Sequence, residues 1–385
     1  MSSGSTRKPT IALVAGEASG DQLGAALIVE LRKLHPTAVF VGIGGEQMQS
    51  AGLDKWWDSE ELAVFGLFEV LAHFPRLYKI RRALRQRLLA LKPAVFIGID
   101  APDFNLGLET VLRRRGIPTV HYVSPTVWAW REKRVRKIAR AADLVLCLFP
   151  FEPVFYQGHG VAATYVGHPM ADQISTDQDP ATARQRLGIN TQGIHLALLP
   201  GSRAGEVSKL AEPMIEAAQI LAQQIPGINI SAAMANARVR ALFESAMQRL
   251  AMQNIQLVDQ EPRGVIAAAD VVLVASGTAT LETMLINRPM VVSYRFAPST
   301  YQLAKLLKLV RVKFFSLPNI LAGEALVPEL LQDDASAPRM AEEVLKWLAD
   351  AGRRKALQTR FSELHQQLRC NASARAAEAV LGLMQ

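Results

Sequence analysis

Short apolar runs recur along the chain between turn-forming residues: Ile11–Ala15, Ala38–Ile43, Val95–Ile99, Thr119–Val123, Leu144–Leu148 and Thr164–Val166. The runs are continuous rather than alternating, as in strands buried on both faces, and helical stretches such as Leu23, Leu27 and Leu31 separate them. Parallel sheet covered by helices is the predicted result. After Met170 the texture turns polar through Asp172–Pro180, a linker by its composition. The series then restarts with His195–Leu199, Ile228–Ala233, Ile255–Val258, Val271–Val274 and Met290–Ser293. The expected fold is α/β, with two Rossmann-like doubly wound parallel-sheet domains, residues 1–172 and 173–349, facing a cleft. The end of the chain reads as helices, with Phe361, Leu364 and Leu368 at helical spacing. Residues 350–385 are expected to pack on the first domain or on a partner subunit, so a homodimer stays open.

A length of 385 residues exceeds what one hydrophobic core usually supports, and a 50% apolar composition is enough for two. The formal net charge of +8 is unevenly spread: Arg76–Lys92 carries basic residues and no acidic one, and Arg131–Arg140 is basic apart from Glu132. Such faces suit anionic lipid, nucleic acid or a phosphorylated substrate. The basic runs lack interleaved stacking aromatics, which disfavours nucleic acid. Cys147 and Cys370 have no metal-ligand spacing and are too few for a disulfide framework, which fits a reducing cytoplasm. Ile11–Ala15 is too short for a signal-peptide core, and no uncharged run approaches the roughly 20 residues that span a bilayer. Membrane contact is therefore expected to be peripheral. The segment Glu61–Phe74 is apolar and adjoins the basic run, like an interfacial helix whose Val64, Phe65, Leu67 and Phe68 would enter lipid. A buried helix with a solvated basic face competes with that reading.

The chemistry gathers where strands end. In the second half, the strands ending at Leu199 and Val274 run into Gly201-Ser202-Arg203 and Ser276-Gly277-Thr278-Ala279, each followed by a helix start. Glycines allow close backbone approach, helix N-termini offer free N–H groups, and Arg203 adds a permanent charge: two phosphate cradles that suggest a nucleotide diphosphate. Thr278 is the expected N-cap. Glu282 lies four residues beyond it, one too many for a capping box, and is a candidate for ribose hydroxyls; for Glu206, ribose binding and capping remain equally open. Neither a dinucleotide fingerprint nor a Walker pattern is present, which disfavours hydride transfer and phosphoryl transfer of those classes. Asp177 and Asp179 form an acid-x-acid pair in the linker, a weak metal candidate, and no metal or other cofactor is expected.

In the first half, Val95–Ile99 delivers Asp100 and Asp103 at the edge of a buried strand. Asp100 is the candidate general base, while Asp103, after Pro102, is expected to cap the following helix or to sit by the acceptor. Glu17 and Ser19 follow the first strand and face the same edge, Glu17 as a further candidate catalytic group, with Ser19 or Asp21 as competing helix caps. Trp128 and Trp130 lie in a loop, where they would stack on sugar, hold acyl chains or pack in the core. His168 reads as a hinge or packing residue.

Six blocks together resemble the lipid-A-disaccharide synthase family: Leu13–Asp21, Gly98–Asn105, His121–Arg131, Leu199–Arg203, Ala275–Ala279 and Ser316–Gly323. The resemblance implies a GT-B fold and an inverting glycosyltransferase without cofactor. Its substrates would be UDP-2,3-diacylglucosamine and 2,3-diacylglucosamine 1-phosphate (lipid X), joined by a β-1,6 bond with release of UDP. It further implies a cytoplasmic enzyme held peripherally on the inner membrane. The family's essential aspartate falls on Asp100, its arginine on Arg203 and its late asparagine on Asn319. Two other readings stay open from the residues alone: a protein acting on unacylated UDP-N-acetylglucosamine, or a non-catalytic sensor of UDP-sugar.

Overall fold

The computed structural model describes residues 8–62, 67–125, 134–296 and 313–384, the side chains of 67–74 aside. The chain forms two compact units, one of Met1–Asp172 with Leu368–Gln385, the other of Gln173–Gln367.

The first unit is a parallel sheet of seven strands: β1 (Thr10–Ala15), β2 (Val39–Gly44), β3 (Leu53–Asp58), β4 (Val95–Ile99), β5 (Thr119–Tyr122), β6 (Leu144–Cys147) and β7 (Ala163–Tyr165). Their order, β3-β2-β1-β4-β5-β6-β7, reverses direction between β1 and β4. Both faces are covered, which explains the unbroken apolar runs. On β1, Ile11, Leu13 and Ala15 join one buried cluster, with Leu27 and Leu31 of helix 18–34 and Val380 of helix 372–382. Ala12 and Val14 join the other, with Leu84, Leu88, Leu108 and Leu112.

The second unit repeats the plan with β8 (His195–Leu199), β9 (Asn229–Met234), β10 (Gln256–Asp259), β11 (Val271–Ala275), β12 (Met290–Tyr294) and β13 (Glu329–Leu331). The order is β10-β9-β8-β11-β12-β13, with its reversal between β8 and β11.

The expected linker is partly helical. Asp179 accepts N–H bonds from Ala181 (3.3 Å) and Thr182 (2.9 Å), capping helix 180–186. The cap accounts for Asp179 of the acid-x-acid pair, since a carboxylate at a helix start satisfies orphan amides. Among the described residues no cluster of three or more His, Cys, Asp or Glu could hold a metal. The tail divides. Helix 351–368 lies in the second unit up to Gln367, where His365 Nδ1 meets the Leu285 carbonyl at 3.1 Å. Helix 372–382 belongs to the first unit, its N-terminus held by Asp172, which accepts from the amides of Asn371 (2.9 Å) and Ala372 (2.7 Å).

Candidate functional site

In a doubly wound sheet the loops diverge where strand order reverses, leaving a crevice at the carboxyl ends. In the first unit Ala15 of β1 pairs with Ile99 of β4, so the loops carrying Glu17 and Asp100 leave the sheet side by side. Glu17 and Ser19 are exposed there. Glu17, rather than Ser19 or Asp21, occupies the N-cap position of helix 18–34. Asp21 is instead turned inward and accepts three amides of the next β–α connection, Gly45 (2.7 Å), Gln47 (3.0 Å) and Met48 (3.1 Å). Local spacing suggested a cap for its own helix; tertiary contact gives it to helix 46–50.

Asp100 is half-buried, and its backbone is unusual. Its amide donates to Tyr122 O at 2.8 Å, continuing the ladder toward β5. The chain then turns at once into helix 102–113, with Pro102 in the first turn. Asp100 and Ala101 absorb that turn with φ of +49° and +43°. Left-handed conformations in side-chain-bearing residues cost about 1–3 kcal/mol each and persist where surrounding structure enforces them. Asp103 does not cap the helix, because the turn at Ala101 and Pro102 already fixes its start. It is exposed in the first turn, 3.8 Å from Arg134, where its charge favours the positive end of the helix. His168 is packed within the unit, tilted against Phe149 with 5.5 Å between ring centroids, and burial pushes its pKa down to about 4.

The second unit presents the corresponding crevice between β8 and β11, where Leu199 pairs with Val274. Gly201 (φ +116°) and Gly277 (φ +154°) form the turns, in conformations that a side chain would strain. Each loop feeds a helix, 204–224 and 278–285, whose first amides have no intrahelical acceptor. Gly277 and not Thr278 is the N-cap, because the helix begins one residue earlier than the threonine hydroxyl could serve. Thr278 and Ser202 are exposed, and Ala279 is half-buried. Ser276 is fixed by its amide to Ser293 O (3.0 Å) and by its hydroxyl to Phe315 O (3.1 Å).

The Arg203 side chain is 78% exposed, and its Nη1 lies 3.6 Å from Glu206 Oε1. Glu206 Oε2 accepts from the Arg203 amide at 3.4 Å, the reach-back half of a capping box. Glu282 Oε1 accepts from Arg263 Nε at 2.9 Å. Asn319 is buried and saturated: Nδ2 donates to Val327 O and Glu329 Oε1, both at 2.9 Å, while Oδ1 accepts from Leu326 N (2.8 Å) and Val327 N (3.0 Å). Sequence reasoning missed Glu329, which also accepts from the Ser316 amide (2.8 Å) and hydroxyl (2.6 Å). A lone glutamate in a three-residue strand carries no sequence signal of such a hub.

The structure thus brings Glu17, Ser19, Asp100 and Asp103 to one crevice edge, and Gly201, Ser202, Arg203, Glu206, Ser276, Gly277, Thr278, Ala279 and Glu282 to the strand ends of the other unit. Val64, Phe65, Trp128 and Trp130 lie outside the described residues, as do the side chains of Leu67 and Phe68 on helix 67–91.

Two doubly wound units of this kind define the GT-B class. A UDP-GlcNAc 2-epimerase from Neisseria meningitidis, solved with UDP-GlcNAc bound, shares the fold at TM-score 0.66 and 13% identity, covering 98% of this chain and 100% of that one. An Anabaena protein solved with UDP and glucose does so at TM-score 0.56 and 12% identity, covering 97% and 100%. Sequence is more specific. Residues 11–380 match the family described as Lipid-A-disaccharide synthetase. The lipid-A-disaccharide synthase of Xanthomonas oryzae pv. oryzae (strain MAFF 311018) is 55% identical over 381 residues, 98% of this chain and 88% of its own. That of Xylella fastidiosa (strain M12) is 54% identical over 379 residues, 98% of each. The chain belongs to the lipid-A-disaccharide synthase family and is a glycosyltransferase.

Proposed function

We propose that the protein joins UDP-2,3-diacylglucosamine to 2,3-diacylglucosamine 1-phosphate through a β-1,6 bond and releases UDP, with Asp100 as base and Arg203 as diphosphate partner. The observation that carries this assignment of roles is the contrast between the two strand-order reversals. One presents a carboxylate on an enforced turn; the other presents an exposed guanidinium beside two helix N-termini. The first is equipped to take a proton, the second to receive negative charge.

In the proposed reaction Asp100 removes the proton of the acceptor 6-hydroxyl, and the oxygen attacks the anomeric carbon from the face opposite UDP. The bond to the diphosphate breaks, and its electron pair remains on UDP. Arg203 and the first-turn amides near Gly277 meet that charge without having to reorganise. Glu282, aligned by Arg263, is assigned to the ribose hydroxyls, and Glu17 to the acceptor side. Asn319 contributes by fixing 326–329 against the loop that holds Ser276.

Peripheral attachment to the inner membrane, on its cytoplasmic side, belongs to the same proposal. On helix 67–91 the buried stripe Ile80, Leu84 and Leu88 faces the core, while Arg76, Lys79, Arg82 and Arg85 are exposed. That polarity supports contact with anionic headgroups. No helix among the described residues is long and apolar enough to cross a membrane.

Mass spectrometry of both acylated substrates incubated with the protein tests the reading. Disaccharide and UDP are expected from wild type, and Asp100→Asn should form them about 10²–10⁴-fold more slowly. Binding of UDP-sugar without product would point to a non-catalytic receptor and refute it.

A further inference from the structure

The turn at Asp100 is held from inside the sheet. Asn105, in the second turn of helix 102–113, is fully buried. Its side-chain Nδ2 points to three carbonyls at the strand-order reversal: Asp100 O at 2.9 Å, Val14 O at 3.3 Å and Ile99 O at 3.4 Å. One amide therefore ties together β1, β4 and the two-residue left-handed turn. Its own backbone amide accepts the same duty, donating to Ala101 O at 2.9 Å. Its Oδ1 is buried with no partner among the described residues, an uncompensated group whose retention calls for a reason.

The surroundings allow Asn105 little freedom. A Cβ on Gly98 would lie 2.9 Å from Asn105 Cβ and would overlap Glu109 Oε1. Glu109, one turn further along the helix, pairs with His121 Nδ1 on β5 at 2.7 Å, both side chains fully buried. The helix is thus pinned to the sheet by a polar pair, directly behind the residue that clamps the turn. The chain keeps a small residue at Gly98 and a buried, partly unsatisfied amide at Asn105, where apolar packing would be cheaper. What Asn105 holds in place is the backbone at Asp100.

We propose that Asn105 is the positioning residue of Asp100: it touches no substrate, and it sets the reactive geometry by holding the strained turn. The inference rests on Asp100 as the base. Asn105→Ala is expected to lower kcat about 10²-fold, since ångström displacements of a reacting group cost that much, with KM for both substrates within about threefold of wild type. In the double variant with Asp100→Asn, the loss of Asn105 should add nothing, because there is no longer a base to aim. A purely structural role would lower the melting temperature without this split and would add to Asp100→Asn. If Asn105→Ala does not fold, Asn105→Ser, which keeps a short donor on the same Cβ, carries the comparison with an intermediate kcat. A folded Asn105 variant with kcat within about threefold of wild type overturns the proposal, as does a loss carried entirely by KM. Normal turnover by Asp100→Asn would instead remove the base assignment, so the two failures are distinct.

Discussion

Replacing Arg203 by alanine should separate catalysis from folding. The guanidinium is 78% exposed, and its ion pair with Glu206 is long, at 3.6 Å. Exposed pairs of that kind contribute little, and surface substitutions usually change stability by no more than about 0.5 kcal/mol. The melting temperature should therefore stay put. Function is another matter. A charge-assisted bond to a phosphate oxygen contributes about 1.5–3 kcal/mol, and loss of one transition-state donor costs about 2.7–4 kcal/mol in comparable sites. At about 1.4 kcal/mol per tenfold, kcat/KM should fall by about 10²-fold, and Glu206, no longer screened, would add repulsion to the diphosphate. Arg203→Lys keeps the charge and loses the planar fork, so an intermediate loss is expected. UDP release gives the rate, calorimetry with UDP gives the affinity, and a thermal melt gives the stability. A kcat/KM within about threefold of wild type would refute the diphosphate role, and a melt lowered by several degrees would show that the side chain is structural.

Burial holds His168 neutral, with its pKa at about 4 against an ordinary 6.5. Its contribution is intact above about pH 6.5 and is lost as pH falls toward 4, roughly 3 kcal/mol in all at about 1.36 kcal/mol per pH unit. His168→Asn keeps an acceptor for the Met170 amide and should flatten the acid limb of an unfolding-stability profile; an unchanged limb contradicts this. Asp21→Ala leaves the buried amides of Gly45 and Met48 without an acceptor and returns that of Gln47 to water, and at about 1.5–3 kcal/mol per buried bond to a charged acceptor it should lower the melting temperature by several degrees. A melt equal to wild type would show that the cap is dispensable. Serine at Val64, Phe65, Leu67 and Phe68 should reduce co-sedimentation with anionic vesicles, and undiminished binding would remove that segment from the membrane face.

Strands buried on both faces were readable because their patterning leaves few alternatives: Val95–Ile99 and His195–Leu199 coincide with β4 and β8. The edge strands were not. β3 reads Leu-Asp-Lys-Trp-Trp-Asp, which follows no clean period, with Lys55 paired to Asp58 and Asp54 accepting from Trp56 Nε1, and β13 is three residues long. Asp100 and Arg203 could be singled out because each follows a buried strand, a relation that stays local in sequence. What supports them is not local. Asn105 Nδ2, beside the Asp100 turn, bonds to the Val14 carbonyl 91 positions away, and elsewhere in the unit Asp21 likewise binds amides 24 to 27 positions downstream. Glu206, open between ribose binding and capping in the sequence, makes the reach-back contact of a capping box with the Arg203 amide.

The return of helix 372–382 to the first unit has a consequence for biosynthesis. Ala376, Ala377 and Val380 belong to the same buried cluster as Ile11 and Leu27. A ribosome releases the strands of this unit before the second unit, yet the residues that close their core emerge only after the whole second unit. The second unit is continuous in sequence and can complete its core while still attached; the first must wait with part of its apolar face uncovered. During synthesis the half carrying Asp100 is therefore the one exposed to aggregation and to chaperone capture, and a premature stop anywhere before Ala372 leaves it without its last wall.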